Sequence, residues 1–119
     1  MGRLVYDSRL DVDFEDRLLG HLQVVIGTKL GRGESFYLSW KDLPAVGSGR
    51  TSIWLHPASA LRFRYASADR VVLNQAWVRR WIADSYAPGG LRLTDEPEPE
   101  GDRPPRTGTP APSPRAPRL

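Results

Sequence analysis

Apolar and polar residues alternate in short runs at the start of the chain. In RLVYDS, and again in RLDVDF, Leu10, Val12 and Phe14 point one way while Arg9, Asp11 and Asp13 point the other. A period of two predicts two short strands, joined by a hairpin around Asp7 and Ser8. The period then changes. Leu18, Leu19, Leu22, Val25, Ile26 and Leu30 recur at helical spacing and define one arc of a helix. Asp13 or Asp16 is placed to cap its start, where acids meet the positive end of the helix dipole. Lys29 and Arg32 fall near its end, and Gly31 or Gly33 supplies the left-handed residue that stops it.

Alternation returns in ESFYLSW, TSIWLHP and LRFRY. Phe36, Leu38 and Trp40 share one face of the first strand, with Tyr37 on the other. Ile53 and Leu55 oppose Trp54 and His56 in the second. Leu61, Phe63 and Tyr65 oppose Arg62 and Arg64 in the third. Short loops between these runs predict an antiparallel meander. Asn74 then caps a second helix, in which Trp77, Val78, Trp81 and Ile82 form an apolar stripe. PGG breaks that helix, and LRL adds a last edge strand. The order β-β-α-β-β-β-α-β predicts an α+β fold, a mostly antiparallel sheet with two helices packed on one face.

The pattern fades after residue 94. Residues 95–119 hold eight prolines, five acids and four arginines, with almost nothing apolar. Such a segment buries too little surface to offset its ordering entropy. The expected organisation is therefore a folded domain over 1–94 and a disordered, proline-rich tail over 95–119, acidic first and basic later. A domain this small has a small core and little room for an enclosed active site.

Charge changes the picture only slightly. The net charge is +3, and 15 of the 17 basic residues are arginine. Arginine forks suit phosphates and carboxylates, although a GC-rich coding sequence gives the same bias. The absence of cysteine removes disulfides, thiolate nucleophiles and cysteine metal sites, and fits a cytoplasmic location. No apolar run approaches the length of a membrane span.

LGRGESFYLSW, residues 30–40, puts two glycines and an arginine next to a strand. A phosphate-cradling loop runs strand, glycines, helix, with amides aimed at the anion. Here the order is helix, glycines, strand, so the corner lies at the negative end of a dipole and reads as a structural cap. Lys29 and Arg32 are kept as possible surface phosphate contacts.

Little else suggests catalysis. His21 and His56 are the only histidines, and neither has metal-ligand spacing. No catalytic residue, metal or cofactor is assigned. The best candidate for function is the outward sheet face, where Tyr37, Trp54, His56, Arg62 and Arg64 would lie together. Aromatics mixed with arginines can stack bases and neutralise phosphates, or meet a protein partner.

The stretches LLGHLQVVIGTKLGRGESFYLSW, GRTSIWLHP, LRFRY, LNQAW and GGLRL together resemble a family of small actinobacterial proteins, a domain of unknown function. The resemblance covers residues 1–96. Members of that family often carry the label ATP-dependent DNA ligase, which implies lysine adenylation in a Lys-x-Asp-Gly motif. Lys29 precedes Leu30, Gly31 and Arg32, and Lys41 precedes Asp42, Leu43 and Pro44. Neither fits, so no ligase residue carries over. The leading expectation is a non-enzymatic, cytoplasmic binding or accessory domain that contacts nucleic acid or protein. The alternatives are a ligase-related enzyme and a self-associating structural module.

Overall fold

The computed structural model describes residues 1–42, 47 and 49–99. Most of the loop after residue 42, and the tail from residue 100, lie outside the described residues. The element order is the expected one: β1 (Gly2–Tyr6), β2 (Leu10–Phe14), α1 (Asp16–Gly31), β3 (Phe36–Lys41), β4 (Arg50–Leu55), β5 (Leu61–Arg64), α2 (Gln75–Asp84) and β6 (Leu91–Arg92). The fold is α+β.

β1 and β2 form the expected hairpin. Asp7 and Ser8 both take positive φ, 51° and 58°, at the centre of a turn closed by the Arg9 N–H donating to the Tyr6 carbonyl at 3.0 Å, and the twist matches two right-twisted strands joined through three residues. Leu4 pairs with Val12 and Tyr6 with Leu10.

The strands divide into two three-stranded sheets, β2-β1-β5 and β4-β3-β6. This corrects the expected single sheet and its meander. β5 turns away from β4 and pairs antiparallel with β1, setting Phe63 against Leu4 and Leu61 against Tyr6. The hairpin leaves one edge of β1 open, and β5 offers the apolar alternation that fits it. The free edge of β4 is met by a side chain instead, the Tyr6 hydroxyl donating to the Trp54 carbonyl at 2.7 Å. On its other side β3 takes β6 in parallel, with Leu38 opposite Leu91.

α1 buries Leu19, Leu22, Val25 and Ile26, as its spacing predicts, and His21 and Lys29 as well. Asp16 does not cap the helix. Its carboxylate accepts the backbone N–H groups of Ala66 and Ser67 at 3.1 and 3.0 Å, tying the end of β5 to the helix start. These bonds hold its pKa below the usual carboxylate value. Asp13 pairs with Arg3 across the hairpin.

At the other end Gly33 is the left-handed residue, φ 75°. Its N–H donates to the Leu30 carbonyl, and the Glu34 N–H reaches back to the Lys29 carbonyl, both at 3.0 Å. These two bonds form a Schellman stop. The glycine corner is thus a helix C-cap.

α2 starts at Asn74, whose Oδ1 accepts the Ala76 N–H at 3.0 Å. Trp77 and Trp81 pack at a 50° tilt with ring centroids 4.6 Å apart, and Trp77 lies the same distance from His21 of α1. Both indoles donate to Thr94, one to its carbonyl and one to its hydroxyl. The segment after β6 therefore runs back along α2.

The expected tail is docked where it begins. Glu96 and Pro97 both accept hydrogen bonds from the Asn74 amide, and Arg17 grips the Glu96 carboxylate. Polar anchors do here what the missing apolar residues cannot. Among the described residues, no helix is long and apolar enough to cross a membrane.

Candidate functional site

Three large aromatic side chains stand out of the surface near the start of β3: Tyr37 (46% exposed), Trp54 (45%) and Tyr86 (60%). Tyr37 and Trp54 face each other across the β3–β4 ladder. Their rings meet edge to face with centroids 4.9 Å apart, a favourable quadrupole geometry. Tyr86 arrives from the turn after α2. Together with Phe36, Pro88 and Gly90 the three rings line a groove of about 440 Å³.

Each wall is fixed by a specific contact. Gly90 has φ 77°, and a Cβ there would sit 2.3 Å from the Tyr37 carbonyl oxygen. Only glycine lets the turn press this closely on β3. Tyr86 is held from below by Lys29. The Lys29 ammonium is buried (2% exposed) and bonds Glu34 at 3.0 Å. It lies 3.5 Å from the centre of the Tyr86 ring, with Phe36 behind it at 5.4 Å. The Tyr86 hydroxyl also donates to Glu34, at 2.9 Å. Lys29 and Tyr86 together hold the Glu34 carboxyl below its usual pKa, the lysine bond acting most strongly. A ring clamped at both its face and its hydroxyl presents contact area with little entropy left to lose.

The structure brings together only part of the face expected from the sequence. Tyr37 and Trp54 are adjacent and exposed. His56 is half-buried and serves the β4–β5 turn, its Nδ1 accepting from the Ala58 N–H at 3.2 Å.

Arg62 and Arg64 are exposed but belong to the other sheet, paired with Val5 and Arg3 of β1. Their outward neighbours include Asp11 and Asp13, both within ion-pair reach of Arg3. The aromatic and arginine residues therefore do not form one sheet face. The reason is the strand pairing: a period of two fixes which side a residue takes, not which strand lies next to it.

Lys29 is not a surface phosphate contact, because its ammonium is enclosed by Glu34 and two rings. Arg32 is exposed on the helix C-cap. Tyr86, Glu34 and Gly90 went unrecognised in the sequence. The signal for them was PGG one residue after Tyr86, which marks a tight approach as well as a helix end.

No curated protein and no solved structure matches the chain. One family model does, over residues 1–96. Its span takes in every groove residue, and also Glu96, which the strand and helix pattern alone had left in the tail. The chain belongs to the family described as Domain of unknown function (DUF7882).

Proposed function

We propose that the domain is a non-enzymatic binding module of the cytoplasm that recognises an extended, proline-containing segment of a protein partner through the Tyr37–Trp54–Tyr86 groove. The observation that carries this reading is the set of three exposed rings, spaced along one shallow groove and clamped by Gly90 and the Lys29–Glu34 pair. Flat aromatic walls take proline rings well. A polyproline helix is already extended, so little order is lost when it docks. The half-exposed Glu34 carboxylate adds a place for a basic residue of the ligand.

Nucleic acid fits less well. Among the described residues the exposed aromatics Tyr37, Trp54 and Tyr86 lie away from the sheet that holds the two outward arginines of β5, and the neighbouring acids of β2 weaken the local positive potential. The ligase reading implied by the resemblance gains no support from Lys29, whose ammonium is committed to Glu34 and Tyr86.

The test is a titration of an oligoproline peptide flanked by arginines onto the full chain, followed through the indole N–H resonances. Binding that Trp54→Ala removes supports the reading. An unchanged spectrum at millimolar peptide contradicts it.

A further inference from the structure

The sequence carries a segment with the chemistry this groove suits. Residues 110–118, PAPSPRAPR, hold four prolines and two arginines. Pro114 and Pro117 are three apart in sequence, the spacing that a polyproline-binding groove reads as one turn. Arg115 and Arg118 offer guanidinium groups to the carboxylate of Glu34, which lines the groove. Aromatic walls on the domain thus match prolines in the tail, and Glu34, whose Oε1 is bonded by Lys29 and Tyr86, would meet an arginine through its Oε2.

The span also fits. The Asn74 bond fixes Pro97 beside the N-terminal end of α2, and the groove is lined by Ser85 and Tyr86 at the other end of that helix. Ten helical residues separate the two ends, roughly 15 Å. Eleven residues lead from Pro99 to Pro110. Any eleven residues reach at most about 36 Å, more than twice the distance to be covered. The tail is long enough to return, without needing to be stretched.

We infer that the Pro110–Arg118 segment of the same chain docks in the Tyr37–Trp54–Tyr86 groove and competes there with outside ligands. This rests on the reading of the groove as a proline-recognition site and names its resident occupant. Tethering gives the segment an effective concentration in the millimolar range. With an intrinsic dissociation constant near 0.1 mM for the tail segment itself, any outside peptide would then bind about tenfold more weakly while the tail is in place.

The experiment compares the full chain with a full-length variant in which Pro110, Pro112, Pro114 and Pro117 are all changed to Ser. The probe is a synthetic peptide of residues 108–119. The variant is expected to bind it about tenfold more tightly than the native chain. The Trp54 indole signal, identified by its loss in Trp54→Phe, is expected to differ between the two proteins at every protein concentration. Equal peptide affinity and an unchanged Trp54 signal would overturn the inference. A signal difference that vanishes on dilution would also overturn it, since the occupant would then be the tail of a second copy. If the arginine-flanked oligoproline still binds in either case, the groove reading stands and only the tail docking fails.

Discussion

The Arg17 guanidinium holds the Glu96 carboxylate with two parallel bonds, Nε to Oε1 at 2.7 Å and Nη2 to Oε2 at 2.6 Å. A third arginine nitrogen donates to the Val72 carbonyl at 3.0 Å. One side chain at the start of α1 thus joins the strap after β6 to the loop before α2. Arg17 and the Asn74 amide pull the Glu96 pKa from 4.5 down to about 2, Arg17 most strongly.

A carboxyl whose folded pKa is depressed stabilises the fold fully above its unfolded value. That contribution is lost as pH falls through the folded value. For Glu96 the window runs from about 4.5 down to about 2. Asp16 and Glu34 are shifted in the same direction, so the native chain alone does not isolate Glu96. Glu96→Gln is expected to lower stability at pH 7 by about 1 kcal/mol, the modest size reflecting solvent screening. It should differ less and less from the native chain as pH falls toward 2. Urea midpoints of both chains across that range check it, and a constant difference would count against the pairing.

Lys29 lies under Tyr86, its side chain almost fully buried. Acylation of the native protein with an amine-reactive ester, read by mass spectrometry, should label the exposed Lys41 well before Lys29. Lys29→Ala removes buried stem packing and strands Glu34, and is expected to cost about 2–4 kcal/mol. Similar labelling rates at the two lysines would show that the ammonium is not enclosed.

Three glycines respond differently to alanine. Gly27 is exposed within α1, and a Cβ there meets nothing within 4 Å, so Gly27→Ala should stabilise by about 0.5–1 kcal/mol. At Gly20 a Cβ would meet Val71 at 2.9 Å, and the helix gain should be cancelled or reversed. Gly90→Ala faces both a positive φ and the Tyr37 backbone. It should cost roughly 3 kcal/mol and move the Tyr37 resonances. Thermal melts of the three variants test the order.

His21 is buried between two backbone groups. Its Nε2 lies 2.7 Å from the Asn74 N–H, and its Nδ1 lies 2.7 Å from the Arg17 carbonyl. The first must accept and the second must donate, which assigns the neutral Nδ1–H tautomer. Long-range nitrogen–proton correlation spectra should show the protonated-type shift on Nδ1. Finding it on Nε2 would break the bridge between the two helices.

The elements were legible because their periods are strong. Leu19, Leu22, Val25 and Ile26 spell α1, and Asn74 before Trp77 spells the start of α2. Strand partners were not, since the LRFRY alternation suits β1 as well as β4. The burial of Lys29 was half visible. It stands three and seven residues after Ile26 and Leu22, on the apolar arc, but a lysine at a helix end also suits solvent. What decided its place was Tyr86, distant in sequence and unmarked by any periodicity. Glu96 was hidden for a related reason. Its anchors Arg17 and Asn74 are polar, and an apolar pattern carries no trace of them.

The central claim is that Tyr37, Trp54 and Tyr86 form one recognition groove. Titrating the arginine-flanked oligoproline peptide onto the native chain, and onto Trp54→Ala and Arg62→Ala, tests it most directly. The native chain and Arg62→Ala are expected to bind alike, while Trp54→Ala loses at least about tenfold, the scale of removing one buried aromatic anchor. Equal affinity in Trp54→Ala, or a loss confined to Arg62→Ala, would contradict the claim.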